Sequence, residues 1–143
     1  MTGGSKVPDG LFYTRDHEWI RVEAGQITVG ITDHAQAELT DVVYADLPSA
    51  GKDVRRRETV LTLESVKTVA EVYAPIDGRI GGSNEELRTH PELINQEPYG
   101  RGWIFQMTSK DKGPVTGLMS ATEYRAFLDA PSPADAASSP SGP

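Results

Sequence analysis

No cysteine occurs among the 143 residues. That excludes disulfide scaffolds, thiolate metal sites and cysteine nucleophiles. No apolar run approaches the ~20 residues that a membrane-spanning helix needs. Cations are in deficit: 14 Lys and Arg stand against 21 Asp and Glu, a formal net charge of −7. Such a balance argues against a nucleic-acid partner or an anionic membrane surface. His17, His34 and His90 are the only histidines, and their dispersion gives no metal-binding motif. Residues 1–10 are polar and Gly-rich, with neither an apolar signal core nor an arginine-rich leader; they are expected to form a flexible N-terminus.

What is present is one domain with a tail. Residues 130–143 are almost wholly Ala, Pro, Ser and Gly, with Asp135 the one charge. A segment of that composition buries too little apolar surface to offset its ordering entropy, and disorder is expected. Residues 11–129 then make a single folded unit of ordinary size.

Inside that unit the pattern is mostly β. Residues 17–22 hold Trp19, Ile20 and Val22, and Ala24-Gly25-Gln26 reads as a turn. Residues 27–31 alternate around Thr28 and Gly30 as a half-buried strand does. Thr32-Asp33 opens a short helix through Ala35, Ala37 and Leu39. Residues 42–47 form the next strand, stopped by Pro48, and Pro75-Ile76-Asp77-Gly78 is a turn. Asn84 caps a helical turn, residues 103–107 read as a buried strand, and Ser120 to Glu123 is a capping box ahead of Tyr124, Phe127 and Leu128. The fold class expected is mainly β, a small sandwich or flattened barrel with short peripheral helices, one of them C-terminal.

One lysine stands apart. Of five (Lys6, Lys52, Lys67, Lys110, Lys112), Lys67 lies between two strand-like runs, residues 60–65 and 69–74. Opposing Ser65 to Thr68 pairs Leu63 with Ala70 and Leu61 with Val72 on an apolar face. Glu64 with Val69 and Thr62 with Glu71 then lie on the other. A slip of one residue would turn the apolar face outward, so the pattern fixes the register. Val66-Lys67 is left as the tip. A tip with positive φ is unfavourable for β-branched Val66, so a type I turn or a slightly longer loop is expected. The residues alone leave Lys67 open between a solvated charge and a modified side chain.

An ordered set of motifs runs along the chain: Tyr13-Thr14 with His17-Glu18-Trp19, Val29 to Gln36, Asp41-Val42-Val43-Tyr44 with Leu47-Pro48, and Glu64-Ser65-Val66-Lys67. It continues through Ala74 to Gly78, Asn84 to Leu87, Pro91 to Asn95, Pro98-Tyr99-Gly100, Gly102-Trp103 and Glu123-Tyr124, over nearly all of residues 11–128. In these motifs and their order the chain resembles the H-protein family, the lipoyl carriers of the glycine cleavage system. The resemblance implies a lipoyl/biotinyl-domain-like fold and lipoic acid in amide linkage to Lys67. It implies a non-catalytic carrier serving glycine decarboxylase (the pyridoxal-phosphate P protein), aminomethyltransferase (the T protein) and dihydrolipoyl dehydrogenase (the L protein), with lipoyl-attaching enzymes as further partners. The decarboxylase loads the arm with an aminomethyl group, the transferase passes the one-carbon unit to tetrahydrofolate, and the dehydrogenase restores the disulfide. A chain without thiols suits a dithiol cofactor, because it has none to trap as mixed disulfides. The expected location is the bacterial cytoplasm, or the mitochondrial matrix for a processed organellar form.

Family members fold the loaded arm into a cleft on their own surface. Glu18 stands at the matching acidic position, Glu71 where Asp is frequent, and Asp16 where a small polar residue is common; these three are the candidate cleft residues. For Glu18 the alternative is an exposed strand residue beside Trp19. Glu64, three residues before Lys67, is either a cue for the attaching enzyme or an edge-strand charge. The chain departs from the family at Thr68, where Ala is usual, and at Thr40, where Gly is frequent.

Other features read as structural. Arg55-Arg56-Arg57 is a solvated turn. Gly81-Gly82 lacks the Lys-Ser/Thr of a phosphate loop. His17 and His34 can meet in space, but local hydrogen bonding is the expectation, and Trp19 and Trp103 are expected to pack in the core. No nucleophile–base pair is recognisable. Two rival functions remain. A biotinyl domain usually has Met on both sides of its lysine, where Val66 and Thr68 stand here. A lipoyl relay or storage protein would donate its lipoyl group to other enzymes.

Overall fold

The computed structural model describes residues 5–110 and 116–130. Among the described residues nine strands form two antiparallel sheets. One has six strands: β1 (Phe12–Tyr13), β2 (Glu18–Glu23), β3 (Gln26–Ile31), β9 (Phe105–Ser109), β8 (Gly78–Ser83) and β5 (Asp53–Val54), in that spatial order. The other has three: β4 (Val42–Asp46), β6 (Thr59–Ser65) and β7 (Val69–Tyr73), with β6 central. Helices α1 (Asp33–Leu39), α2 (Leu93–Gln96) and α3 (Ala121–Asp129) and a 3₁₀ turn (Glu85–Arg88) surround them. The mainly β sandwich is the class the sequence predicts.

The main core joins the two sheets. Ile20, Ile27, Val29 and Ile31 from the larger sheet meet Leu61, Leu63 and Val72 from the smaller. A second cluster of Leu11, Tyr13, Trp19, Ala121 and Tyr124 seats α3. The capping box is formed: Ser120 Oγ accepts from Glu123 N–H at 3.2 Å, and Glu123 Oε1 accepts from Ser120 N–H at 2.8 Å. Two satisfied donors define where α3 starts. Thr32 caps α1, its Oγ1 accepting from Ala35 N–H at 3.2 Å.

Several expectations change in detail. β3 is buried on both faces, not half-buried: Ile27, Val29 and Ile31 face the main core, while Gly30 lies against the Trp19 ring. β9 begins at Phe105 rather than at Trp103, and Trp103 is only half-buried. β8 has no counterpart in the sequence reading, because Gly78, Gly81 and Gly82 depress strand propensity. Gly78 is required there: a Cβ would lie 2.1 Å from the Thr108 carbonyl oxygen on β9.

Residues 6–9 make tertiary contacts. Lys6 N–H donates to Asp33, Tyr13 OH donates to the Pro8 carbonyl, and Arg125 donates to the Val7 carbonyl and to Asp9. The expected boundary at residue 11 therefore falls inside a segment held by hydrogen bonds. Of the expected tail, residues 131–143 lie outside the described residues. Among the described residues no helix is long and apolar enough to cross a membrane.

Candidate functional site

The hairpin of β6 and β7 has the register read from its pattern. Leu63 pairs with Ala70, Leu61 with Val72, Thr62 with Glu71 and Glu64 with Val69. Ser65 N–H donates to the Thr68 carbonyl at 2.8 Å, leaving Val66 and Lys67 as the tip. Neither tip residue has positive φ, so Val66 escapes the conformation its branched Cβ disfavours. Ser65 Oγ takes the place of a main-chain acceptor, receiving Lys67 N–H at 3.1 Å and Thr68 N–H at 3.0 Å. Val66 N–H donates to the Asp41 carbonyl at 3.0 Å, which fastens the tip to the segment before β4. Lys67 is exposed.

One cavity lies beside this hairpin, and a second lies past its base, against the Ala74-Pro75 turn that follows β7. The first, of about 280 Å³, is walled by apolar Ile31, Ala35, Leu39, Leu63, Ala70 and Val72, with Asp16, His17, Glu38, Thr68 and Glu71 completing its lining. It begins next to Lys67, since Thr68 is part of it. Its carboxylates come from three separate segments (the β1–β2 turn, α1 and β7), so the site is assembled by tertiary structure. The other cavity, of about 410 Å³, is lined by Thr14, Asp16, Glu18 and Arg57 among others. Asp16 lies on both, and Arg57 Nη2 approaches its Oδ1 at 3.5 Å.

Glu18 is not an exposed strand residue. It is 1% exposed, at the start of β2. Its Oε1 accepts from Thr14 OH at 3.1 Å, and its Oε2 accepts from Tyr73 N–H at 2.7 Å. The carboxyl thus bridges the larger sheet to the last residue of β7, at the base of the lysine hairpin. Burial pushes its pKa up to about 7, against the opposing pull of the Tyr73 and Thr14 hydrogen bonds. Asp16 adds to the rise and Arg57 counters it.

His17 and His34 meet in space, with ring centroids 4.5 Å apart, and His34 Nε2 also makes a local contact, 3.5 Å from Glu38 Oε2 one turn along α1. His17 Nδ1 lies 2.7 Å from Tyr124 OH, which also lies 2.9 Å from Thr32 Oγ1. Burial, with His34 nearby, lowers the His17 pKa. The sequence reading missed His17 and Glu38 as cavity residues. A signal existed for Glu38: Ala35, Glu38 and Leu39 stand at i, i+3 and i+4, one face of α1, and all three line the cavity. Among the described residues no group of three His, Cys, Asp or Glu is arranged to hold a metal ion.

The model of the glycine cleavage H-protein family matches residues 11–130. The chain belongs to that family. It is 50% identical over 115 residues to the glycine cleavage system H protein of Thermotoga maritima, covering 80% of this chain and 93% of that protein. The Halorhodospira halophila protein of the same name is 48% identical over 125 residues, covering 87% and 96%. Among solved structures, a glycine cleavage system H protein from Mycobacterium marinum superposes with a TM-score of 0.79 at 34% identity, covering 87% of this chain and all of that one.

Proposed function

We propose that this chain is the lipoyl-bearing shuttle of the glycine cleavage system, with Lys67 as the amide-linked acceptor. The observation that carries the reading is the hairpin. It presents one exposed lysine on a tip pinned by Ser65 Oγ and by the Asp41 carbonyl. The residues fit such a group. The amine is exposed for acylation, and an apolar cavity rimmed by carboxylates opens beside it. When bound, lipoic acid supplies a disulfide that accepts a one-carbon unit together with two electrons.

The chain's own residues do the positioning. β6 and β7 fix where the arm is rooted, and rooting it keeps its end at high local concentration for each docked partner. Leu63, Ala70 and Val72 offer an apolar wall that excludes water. Asp16 and Glu71 on the same cavity supply negative charge for a cationic arm end, and buried Glu18 holds the base of the hairpin. The partners are glycine decarboxylase, aminomethyltransferase, dihydrolipoyl dehydrogenase and the lipoyl-attaching enzymes. The protein acts as a non-catalytic carrier, in the cytoplasm.

Intact and peptide mass of protein from its own cells tests this. One lipoyl group on the Lys67 peptide, absent from Lys67→Arg, is expected. Biotin there would move the protein to another carrier class. A bare Lys67, in cells whose other lipoyl proteins are modified, would refute the reading.

A further inference from the structure

Among the described residues the exposed large apolar side chains are Val22, Val43, Tyr44, Val66 and Val69, and all but Val22 gather at the Lys67 end of the smaller sheet. Register fixes how. Glu64 opposes Tyr44 on β4 and Val69 on β7. Directly opposed residues share a face of a sheet, so Tyr44, Glu64 and Val69 form one row across three strands. The adjoining row, Ala45, Leu63 and Ala70, turns the other way, toward the core. Val43 sits in the irregularity between Val42 and Tyr44, and Val66 is in the tip itself. Exposures of 52% for Val43, 47% for Tyr44, 68% for Val66 and 61% for Val69 leave an apolar patch in water, interrupted by the exposed Glu64 between Tyr44 and Val69. Such patches mark interaction surfaces. The patch is separate from the cavity beside Lys67, which uses the inner side of the same strands through Leu63, Ala70 and Val72.

Charge and reach narrow the occupant. Asp41, Asp46, Glu64 and Glu71 are exposed around the patch. The neighbouring cation Arg88 is paired with Glu85 at 2.5 Å. The complementary surface is therefore apolar with a cationic border. An enzyme that acylates Lys67 must bring an acyl carbon to Nζ, at the end of a four-carbon stem. Its active-site rim has to close over the tip and the residues around it. An enzyme acting at the far end of a long arm is under no such constraint.

We infer that Val43, Tyr44, Val66 and Val69 form the surface gripped by the lipoyl-attaching enzyme. The inference rests on acylation at Lys67. In the step served, neutral Nζ attacks the acyl carbon of lipoyl-adenylate, the C–N bond forms, the C–O bond to AMP breaks, and the amine proton passes to solvent.

The test uses the purified unlipoylated full chain, Tyr44→Ser, Val69→Thr, their double variant, and Val22→Ser as an exposed apolar control outside the patch. Acylation by a lipoate–protein ligase supplied with lipoate and ATP is followed by intact mass over a range of carrier concentrations. Acetylation of Lys67 by the N-hydroxysuccinimide ester of acetic acid is followed in parallel. The expected result is a loss of about tenfold or more in kcat/KM for the double variant, carried by KM, with small-reagent acetylation and Val22→Ser at parental rates. Val66→Thr, a near-isosteric change confined to the tip, gives a second reading that does not depend on strand integrity. A kcat/KM within twofold of the parent for both the double variant and Val66→Thr overturns the inference. Normal acylation with impaired loading by glycine decarboxylase also overturns it, because the patch then serves a later partner. Failure of the parent itself to be acylated overturns the carrier reading, and this inference with it.

Discussion

Replacing Glu18 by Gln tests whether its buried carboxyl sets the stability of the lysine hairpin's base. In the folded chain the carboxyl titrates near 7, against an ordinary value of 4.5. A folded-state pKa above the unfolded one means that the folded chain holds its proton more tightly. The associated stability is complete below pH 4.5 and is lost as pH rises toward 7. Over that interval the ionised form becomes costly by about 3 kcal/mol, at about 1.4 kcal/mol per pH unit of separation. Gln is neutral and nearly isosteric. Its Oε1 can accept from Tyr73 N–H and its Nε2 can donate to Thr14 Oγ1, so neither present hydrogen bond need be lost. Urea unfolding of parent and Glu18→Gln at half-unit steps from pH 4.5 to 8 gives the difference curve, which cancels the other titrating groups. The variant is expected to be near parental at pH 4.5 and more stable by about 3 kcal/mol at pH 8. A flat difference curve would mean that Glu18 ionises as an ordinary carboxylate and that its burial carries no electrostatic cost.

Three further outcomes are expected. Thr40 has φ 63° and ψ −153°, a region that suits glycine, so Thr40→Gly should raise stability by about 1 kcal/mol after its added unfolded-state entropy is deducted; chemical denaturation reads this. At Gly30 a Cβ would lie 2.6 Å from the ring of Trp19, which is fully buried and donates Nε1–H to the Pro98 carbonyl at 2.8 Å. Gly30→Ala should therefore lower stability by about 1–3 kcal/mol, with altered Trp fluorescence. Tyr124→Phe keeps the ring stacked on Tyr13 at 4.6 Å but removes the hydroxyl shared by His17 and Thr32. A loss of about 1–2 kcal/mol is expected in denaturant, together with a shifted His17 imidazole titration by NMR.

The hairpin was legible because its information is local. Alternation at Leu61, Leu63, Ala70 and Val72 fixes the register, and Ser65 and Val66 restrict the tip. The capping box of α3 and the Thr32 cap of α1 were legible for the same reason: donor and acceptor lie three residues apart. β8 was hidden because Gly78, Gly81 and Gly82 lower its strand propensity, and the need for Gly78 arises on a neighbouring strand rather than in its own segment. At Gly78 the constraint is the Thr108 carbonyl of β9, about 30 residues away along the chain. Burial of β3 on both faces was hidden likewise, since periodicity reports one face and Trp19 covers the other.

The amino-acid sequence by itself determined the β-rich class, the lysine hairpin and, through an ordered set of motifs, the family. Only the tertiary structure decided what the acids do. It placed Asp16 and Glu71 on the cavity beside Lys67 and buried Glu18 as a bridge from β2 to the Tyr73 amide. It also brought Tyr44 to the same outer row as Val69. Solvation and charge proximity depend on which segments pack together, and strand spacing along the chain does not encode that.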